Sequence, residues 1–518
     1  MPLVGTVGRK RFRARLAMGI LYAVLCLGAL TTLYPFALMA STGFKGPTDQ
    51  NDLELVPAYW SDGGKLYAKY IDDKYSGNLS QIDSTRTGAK ASPEEVAKYE
   101  EFLMGLPNDW WSAGFRTASN QVTSRLSVRY QTWLRGRYKS IDALNRAYIE
   151  ENIAFQTVSP PNELLDRATW VPLKGKKIEE WVEFKKSLPA EFRIPVTGTR
   201  MWQEFLRAEF QNSMDRVPDL LKGSAKKFEE IGRIEKAETP ETQALLDKFL
   251  GTKLPPRFFD GQLVEDLWAR VAPGKPLPIA AYETDFVKKN ESAIRSEFAG
   301  RNYRYVLDYI LINGRAVWNT ALFCLLAVLT QLIVNPLAAY ALSRYPLPAT
   351  GKILLFLLAT MAFPAEVAMI PSFLLLKDLG LLNTFAALVL PSAASGYMIF
   401  LLKGFFDSLP QELYESGEID GAKETTLMLK IAFPLSRPVL GYLALLAFMG
   451  SYGAFMYAFL VAQDQRMWTL MVWIYQLQAV APKAVMMAAL TLAALPTLVV
   501  FLLAQRVILR GIVLPGER

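Results

Sequence analysis

Apolar and polar residues are segregated along this chain in blocks of tens of residues. An apolar block at 16–40 follows a basic start, RKRFRAR at 9–15. Five further apolar blocks lie near 314–342, 352–376, 383–403, 438–461 and 484–508. Each is long enough for an α-helix to cross the hydrocarbon core of a bilayer, which takes roughly 20 residues. Between the first and second, residues 46–304 are polar, and no window there reaches spanning length. The pattern predicts six transmembrane helices, with a soluble domain inserted after the first. Within that domain 130–151 reads as helical, with Leu134, Tyr138, Ile141, Leu144 and Tyr148 at three- and four-residue steps. FLMGLP (102–107) parallels FKKSLP (184–189), and YQTWLRGRY (130–138) parallels MWQEFLRAEF (201–210), as a degenerate repeat or a coincidence would.

Charge orients the spans. The basic start, SRYPLPATGK (343–352), the loop at 408–438 and the tail 506–518 would be cytoplasmic, because basic residues collect on that side. LKDLGLLNT (376–384) is short and nearly neutral, as expected on the far side. Both termini are then inside and 46–304 is outside. A basic start before an apolar run also fits a signal peptide. The run is long for one and no small-x-small cleavage site follows, so a retained span is expected.

The loop SLPQELYESGEIDGAKETTLMLKIAFPLSRP (408–438) carries the most specific signal. Ser408 and Gln411 stand at capping-box spacing, so a helix is expected from Leu409, with Pro410 in its first turn. Asp420-Gly421 should break it, with Asp420 capping a second helix from Gly421 to about Ile431. Phe433-Pro434 and Arg437-Pro438 should stop that one. The pattern Glu415-Ser416-Gly417, three residues, Gly421, nine residues, Ile431-x-Phe433-Pro434 resembles the EAA loop of ABC importer permeases, E-A-A-x3-G-x9-I-x-L-P. Ser416 and Gly417 replace the alanines and Phe433 the leucine, with spacing intact.

The resemblance extends on either side. YPFALMASTGFK partly keeps the close of the first span of sugar-type permeases, through Pro35, Ser41 and Lys45. NYRYVLDY (302–309), Asn319-Thr320 and AAYALSRY (338–345) are similar to the family's core. So are FPAEVAMIPSFLLLKDLGLLNT (363–384), with Pro364, Pro371, Gly380 and Asn383, and ALPTLVVFLLAQRVILRG (494–511). The family it resembles is that of the maltose-type, carbohydrate-class permease subunits. It covers 1–45 and 302–518, and the insertion lies outside its usual pattern.

The resemblance implies an all-α membrane protein, a six-transmembrane-helix permease bundle with both ends inside, plus an α-rich soluble insertion. Its domains would be 1–45, 46–304 and 305–518. It also implies an inner-membrane location, and as partners a second permease subunit, an ABC ATPase dimer, an extracytoplasmic solute-binding protein and membrane lipid. In the loop, Leu413, Tyr414 and Ile419 would give apolar docking surface, and Glu415 the charge that pairs with the ATPase. Gly421 would give the bend, within the pattern that Ser416, Gly417, Asp420, Ile431 and Pro434 complete. Polar residues within spans usually face a bundle interior or a path. Asn319, Gln331, Asn335, Ser395, Ser451 and Tyr452 are candidates, and Phe455 and Tyr457 could join Tyr452 in lining a sugar path. Helix–helix glue explains the same residues.

Composition narrows the alternatives. Histidine is absent, which excludes His-based triads and HExxH zinc sites. Cys26 and Cys324 both fall in apolar blocks, so the inserted domain has no disulfide. The net charge of +8 sits beside the spans, because 46–304 is near neutral, and nucleic acid is not an expected partner. No G-x4-G-K-[ST] loop occurs, so nucleotide hydrolysis would be borrowed from another subunit; the resemblance implies no cofactor in this chain, with ATP and Mg bound by partner ATPase subunits. WLRGRYKSIDALNRAY (133–148) is similar to a helical segment of some β-galactosidase-like glycosidases, without their catalytic carboxylates. Asp109, Asp142, Glu150 and Glu151 are among the carboxylates a glycosidase pair would need. The competing reading is therefore a membrane-anchored sugar-acting enzyme or receptor whose active part is 46–304. A third, an ATP-independent secondary transporter, leaves the loop unexplained and calls for ionisable residues at mid-depth, whereas the spans are nearly free of Asp, Glu, Lys and Arg.

Overall fold

The computed structural model describes residues 12–76, 82, 91–116, 124–152, 154–161, 163, 174–234, 236–252, 263–312, 315–345, 347–362, 364–479 and 481–510. The first residues of the basic start and the tail beyond 510 lie outside them. The chain falls into two compact units, 1–305 with 480–488, and 306–479 with 489–518. Among the described residues both are built of helices, apart from one short antiparallel strand pair.

Among the described residues three helices are long and apolar enough to cross a membrane: Arg15–Gly43, Ala316–Arg344 and Lys483–Gln505. Two bent pairs, Phe385–Ser392 with Gly396–Asp407 (51°) and Glu424–Leu435 with Arg437–Tyr452 (81°), raise the number to five if each counts as one span. The block expected as one span at 352–376 forms two helices, Thr350–Thr360 and Ala365–Asp378. Pro364, which has no N–H to donate to the preceding turn, stands at the break. The block at 438–461 is likewise divided, into Arg437–Tyr452 and Phe455–Val461 around Gly453. A further helix, Leu470–Gln478, falls where no span was expected. Large apolar side chains such as Leu325, Ile333 and Leu502 are exposed along these helices, as a lipid environment allows.

Residues between 59 and 298 pack around an aromatic core that includes Trp111, Trp268, Tyr70, Tyr99 and Phe184. The helix expected over 130–151 is two, Arg125–Arg137 and Ile141–Tyr148. Ser140 caps the second by accepting from the Ala143 amide, which fixes the break (3.2 Å).

The repeat is real. After each Leu-Pro comes a 3₁₀ turn, Asn108–Trp110 or Ala190–Phe192, and then a strand, β1 (Trp111–Ala113) or β2 (Arg193–Pro195). The strands pair antiparallel with Ser112 opposite Ile194, which are equivalent positions in the two copies. Flanking bonds obey the same local two-fold: Val196 N–H to Trp110 C=O (3.0 Å) and Gly114 N–H to Phe192 C=O (2.7 Å). Downstream, buried Gln131 and Gln203 hold equivalent places in Arg125–Arg137 and Gly198–Glu209. Their amides donate to the carbonyls of Val158 and Ile231 (3.0 Å each), just after the 3₁₀ turns that begin at Phe155 and Phe228.

Residues 302–303 return to the end of the first helix. Asn302, buried, donates to the carbonyls of Gly43 (3.0 Å) and Lys45 (2.6 Å), and Tyr303 hydroxyl donates to Ala40 (2.9 Å). Residues 43–45 and 302–303 therefore meet at one point.

Candidate coupling segment and membrane interior

Residues 408–438 form two short helices joined by a tight turn. The first is Gln411–Ile419, preceded by Pro410, so it starts two residues later than expected. Ser408 does not open it. Its hydroxyl donates back to Phe405 C=O (2.7 Å) and closes the preceding helix, Gly396–Asp407. The turn has the Schellman pattern, with Ala422 N–H to Gly417 C=O (2.9 Å) and Gly421 N–H to Glu418 C=O (2.9 Å). Gly421 has φ +75°, a left-handed conformation that glycine adopts without a Cβ penalty. Asp420 therefore ends the first helix and does not cap the second, which starts at Glu424 after Lys423. That helix runs through a wider π turn, Met428–Ala432, and past Pro434 to Leu435, where the chain bends at buried Ser436.

The first helix has two faces. Glu412, Leu413, Glu415, Ser416 and Ile419 are exposed, and Ile419 is 87% so. Tyr414, expected on the docking face, points the other way: it is buried among Tyr340, Phe406 and Leu427. Gly417 lies against the second helix, where a Cβ would come within 2.5 Å of Leu427 Cδ2 and 3.4 Å of Ile431 Cδ1. Leu427 and Ile431 are thus the packing partners that make the pair one rigid piece.

One turn of the long helix Ala316–Arg344 grips this piece and the end of the helix before it, which the sequence reading did not foresee. Tyr340 hydroxyl donates to Glu424 (2.8 Å), Ser343 hydroxyl to Asp407 (2.7 Å), and Arg344 to Glu418 (2.6 Å). The Arg344 guanidinium also lies over the Tyr414 ring, 4.2 Å from its centroid. Residues 340, 343 and 344 share one helix face, so a rotation of that helix end would carry the loop with it. The available signal was AAYALSRY itself, whose polar residues follow helical spacing.

Several of the polar residues expected along a path hold helices together, while the Ser451 hydroxyl donates within its own helix. Asn319 donates to the carbonyls of Arg466 (2.8 Å) and Trp468 (3.0 Å). Asn335, fully buried, donates to Gln331 C=O (2.8 Å) and accepts from Ser395 N–H (2.7 Å). Tyr452 hydroxyl donates to Ala493 (2.6 Å) and Tyr457 hydroxyl to Ala387 (2.8 Å). Phe455 packs with Phe459 and Tyr475, and the latter two are exposed. A cavity of about 760 Å³ is lined by Ile310, Cys324, Phe448, Pro496 and other apolar residues. Thr320 and Tyr452 face it too, but Thr320 is engaged by Leu470 and Ala316, and Tyr452 by Ala493. Its wall suits hydrocarbon better than a hydroxylated solute.

In the insertion, buried carboxylates are engaged internally. Glu180 accepts from Tyr138 and Tyr148 (2.9 and 2.8 Å) and pairs with Arg137 (3.1 Å). Asp73 pairs with Arg301 (2.9 Å), and Glu283 with Lys74. Among the described residues no group of three or more Cys, Asp or Glu is placed to hold a metal ion.

Residues 334–513 match the family of binding-protein-dependent transport system inner membrane components. The polygalacturonan/rhamnogalacturonan transport system permease protein YtcP of Bacillus subtilis (strain 168) is 28% identical over 247 residues, 44% of this chain and 85% of the relative. The probable ABC transporter permease protein YurM of the same organism is 31% identical over 197 residues, 37% and 64% of the two chains. The sn-glycerol-3-phosphate transport system permease protein UgpE of Rhizobium meliloti (strain 1021) is 29% identical over 203 residues, 38% and 72%.

Proposed function

This chain belongs to the membrane-embedded permease subunits of binding-protein-dependent ABC importers, and from that premise we propose how its parts work. It moves a sugar or sugar derivative across the inner membrane by alternating access, and ATP is hydrolysed on partner subunits. Relatives named for polygalacturonan/rhamnogalacturonan and for sn-glycerol-3-phosphate support that substrate class. The observation that carries the reading is the helix pair Gln411–Leu435, joined by the Gly421 turn, with acidic and apolar residues on its free face. An ATPase groove that accepts Leu413 and Ile419 and pairs with Glu415 would move this pair when ATP closes it. The long helix ending at Arg344 would then carry the motion into the bundle.

In this reading the six apolar blocks are six spans with both ends inside, some of them broken. Residues 46–304 form a domain outside the membrane that docks or replaces part of a solute-binding protein. Asn319, Gln331, Ser395, Tyr452, Phe455 and Tyr457 lie along or behind the path. The partners are a second permease, an ATPase dimer holding ATP and Mg, and the binding protein.

The test is co-purification from the native host in mild detergent, with wild type beside Glu415→Lys and Gly421→Trp. An ATPase and a second permease should accompany wild type and be lost from both variants. Recovery of the chain alone at native expression would refute the importer reading. Uptake that survives deletion of 46–300 would refute a docking role for the insertion.

A further inference from the structure

The stretch that follows the first helix is pinned to the ends of two helices that are long and apolar enough to cross a membrane. Ser41, in the last turn of Phe12–Gly43, donates its hydroxyl to Glu54 C=O (3.0 Å). Lys45, buried just beyond, donates to the carbonyls of Asp52 (2.6 Å) and Glu54 (2.8 Å). The side-chain oxygen of Gln50 accepts from Ala484 N–H (3.1 Å), in the first turn of Lys483–Arg510. Residues 50–54 are thus within hydrogen-bond reach of the ends of two helices that cross the bilayer in the reading proposed above, and that reading puts them at headgroup depth.

What this stretch turns outward is apolar. Leu53 is 69% exposed and Val56 61%, and Leu55 and Trp60 are exposed as well. An aromatic cluster stands beside them. Phe44 packs on Trp60 (5.3 Å between centroids) and on Tyr303 (4.8 Å), and Tyr59 hydroxyl donates to Phe44 C=O (2.7 Å). Tryptophan and tyrosine collect at headgroup depth because each has an apolar ring with one polar edge. Depth, exposed apolar residues and ring cluster point to the same environment.

We propose that residues 53–60 form a membrane foot, with Leu53, Leu55, Val56 and Trp60 inserted at the boundary of headgroups and acyl chains on the insertion's side. Lipid is the occupant the position selects, because the backbone is already held by the ends of two spans and only the side chains remain to be covered. Asp52 and Glu54 alternate with the leucines and are exposed as well, and at headgroup depth their carboxylates can keep to water. The foot would hold the root of the insertion at the bilayer surface.

The test uses the full chain with Cys26 and Cys324 replaced by alanine, in nanodiscs of phosphatidylethanolamine and phosphatidylglycerol. A spin label is placed at Leu53→Cys or Leu55→Cys. Leu27→Cys, on the first helix, serves as lipid reference, and Ile149→Cys, at a position 94% exposed in the insertion, as water reference. The ratio of collisions with oxygen to collisions with a soluble nickel chelate should be several-fold higher at 53 and 55 than at 149, and below that at 27. A ratio equal to that at 149 would overturn the proposal. So would protection from both reagents, which would mean that protein covers the patch.

Discussion

Asn302 holds the main chain at Lys45, 257 residues earlier, through a side-chain hydrogen bond of 2.6 Å to its carbonyl. A second bond reaches Gly43 (3.0 Å), and the amide is buried. Asn302→Leu would leave two carbonyls without this donor at the point where residues 43–45 and 302–303 meet. A buried polar group left unpaired costs roughly 1–3 kcal/mol. The variant should therefore melt several degrees lower in detergent than wild type. An unchanged melting temperature would show that water replaces the amide.

Gly417 is a packing residue. A methyl there would lie 2.5 Å from Leu427 Cδ2, and Leu427 is fully buried. Overpacking of this kind costs about 1–3 kcal/mol. Gly417→Ala should thus loosen the helix pair, although alanine is what the EAA pattern carries at this position. Adding Leu427→Val should recover part of the loss, so the double variant melts above Gly417→Ala alone. Additive losses in a double-mutant cycle would separate the two residues.

Local signals were legible where one residue type decides a conformation. Gly421 was expected to make the turn, and its positive φ does so. Ser408 misled because a serine between two helices can close one as well as cap the next, and only the packing of Phe405 decides which. The apolar blocks were visible, but hydropathy does not register bends, so the breaks at Pro364 and Gly453 were missed. The repeat rested on two weak echoes, and its strongest mark, Ser112 opposite Ile194, is a long-range pairing with no local signature. Arg344 escaped notice for the same reason: its partner Glu418 lies 74 residues away.

The insertion should lose stability in acid through Glu163. Burial alone would raise this carboxyl's pKa, but Lys185 (2.7 Å) and Arg116 (3.2 Å) outweigh it and hold it below the ordinary value. Ala113 N–H donates to it as well (2.9 Å). A depressed folded pKa adds stability that is present above the unfolded value, about 4.3, and is lost as pH falls through the folded one. Tryptophan-detected melting of the full chain should therefore fall below about pH 4.3. Glu163→Gln should flatten that descent and lower stability near neutrality by about 3–5 kcal/mol, because Lys185 is left buried without its partner. A descent equally steep in the variant would assign it to other carboxylates.

The grip of Arg344 on Glu418 predicts a separation of assembly from transport. The pair is 2.6 Å apart, and Glu418 is half exposed, so its loss should leave the fold intact. Arg344→Glu places like charges together and should free the helix pair from the end of the long helix. Leu413, Glu415 and Ile419 remain on the free face, so the ATPase should still co-purify. Uptake and its stimulation of ATP hydrolysis should drop at least tenfold, while basal hydrolysis persists. The exchange Arg344→Glu with Glu418→Arg should restore much of the coupling, which a merely destabilised bundle would not. If the single variant transports normally, the motion reaches the bundle through Tyr340 and Glu424 alone, and Tyr340→Phe becomes the variant that uncouples.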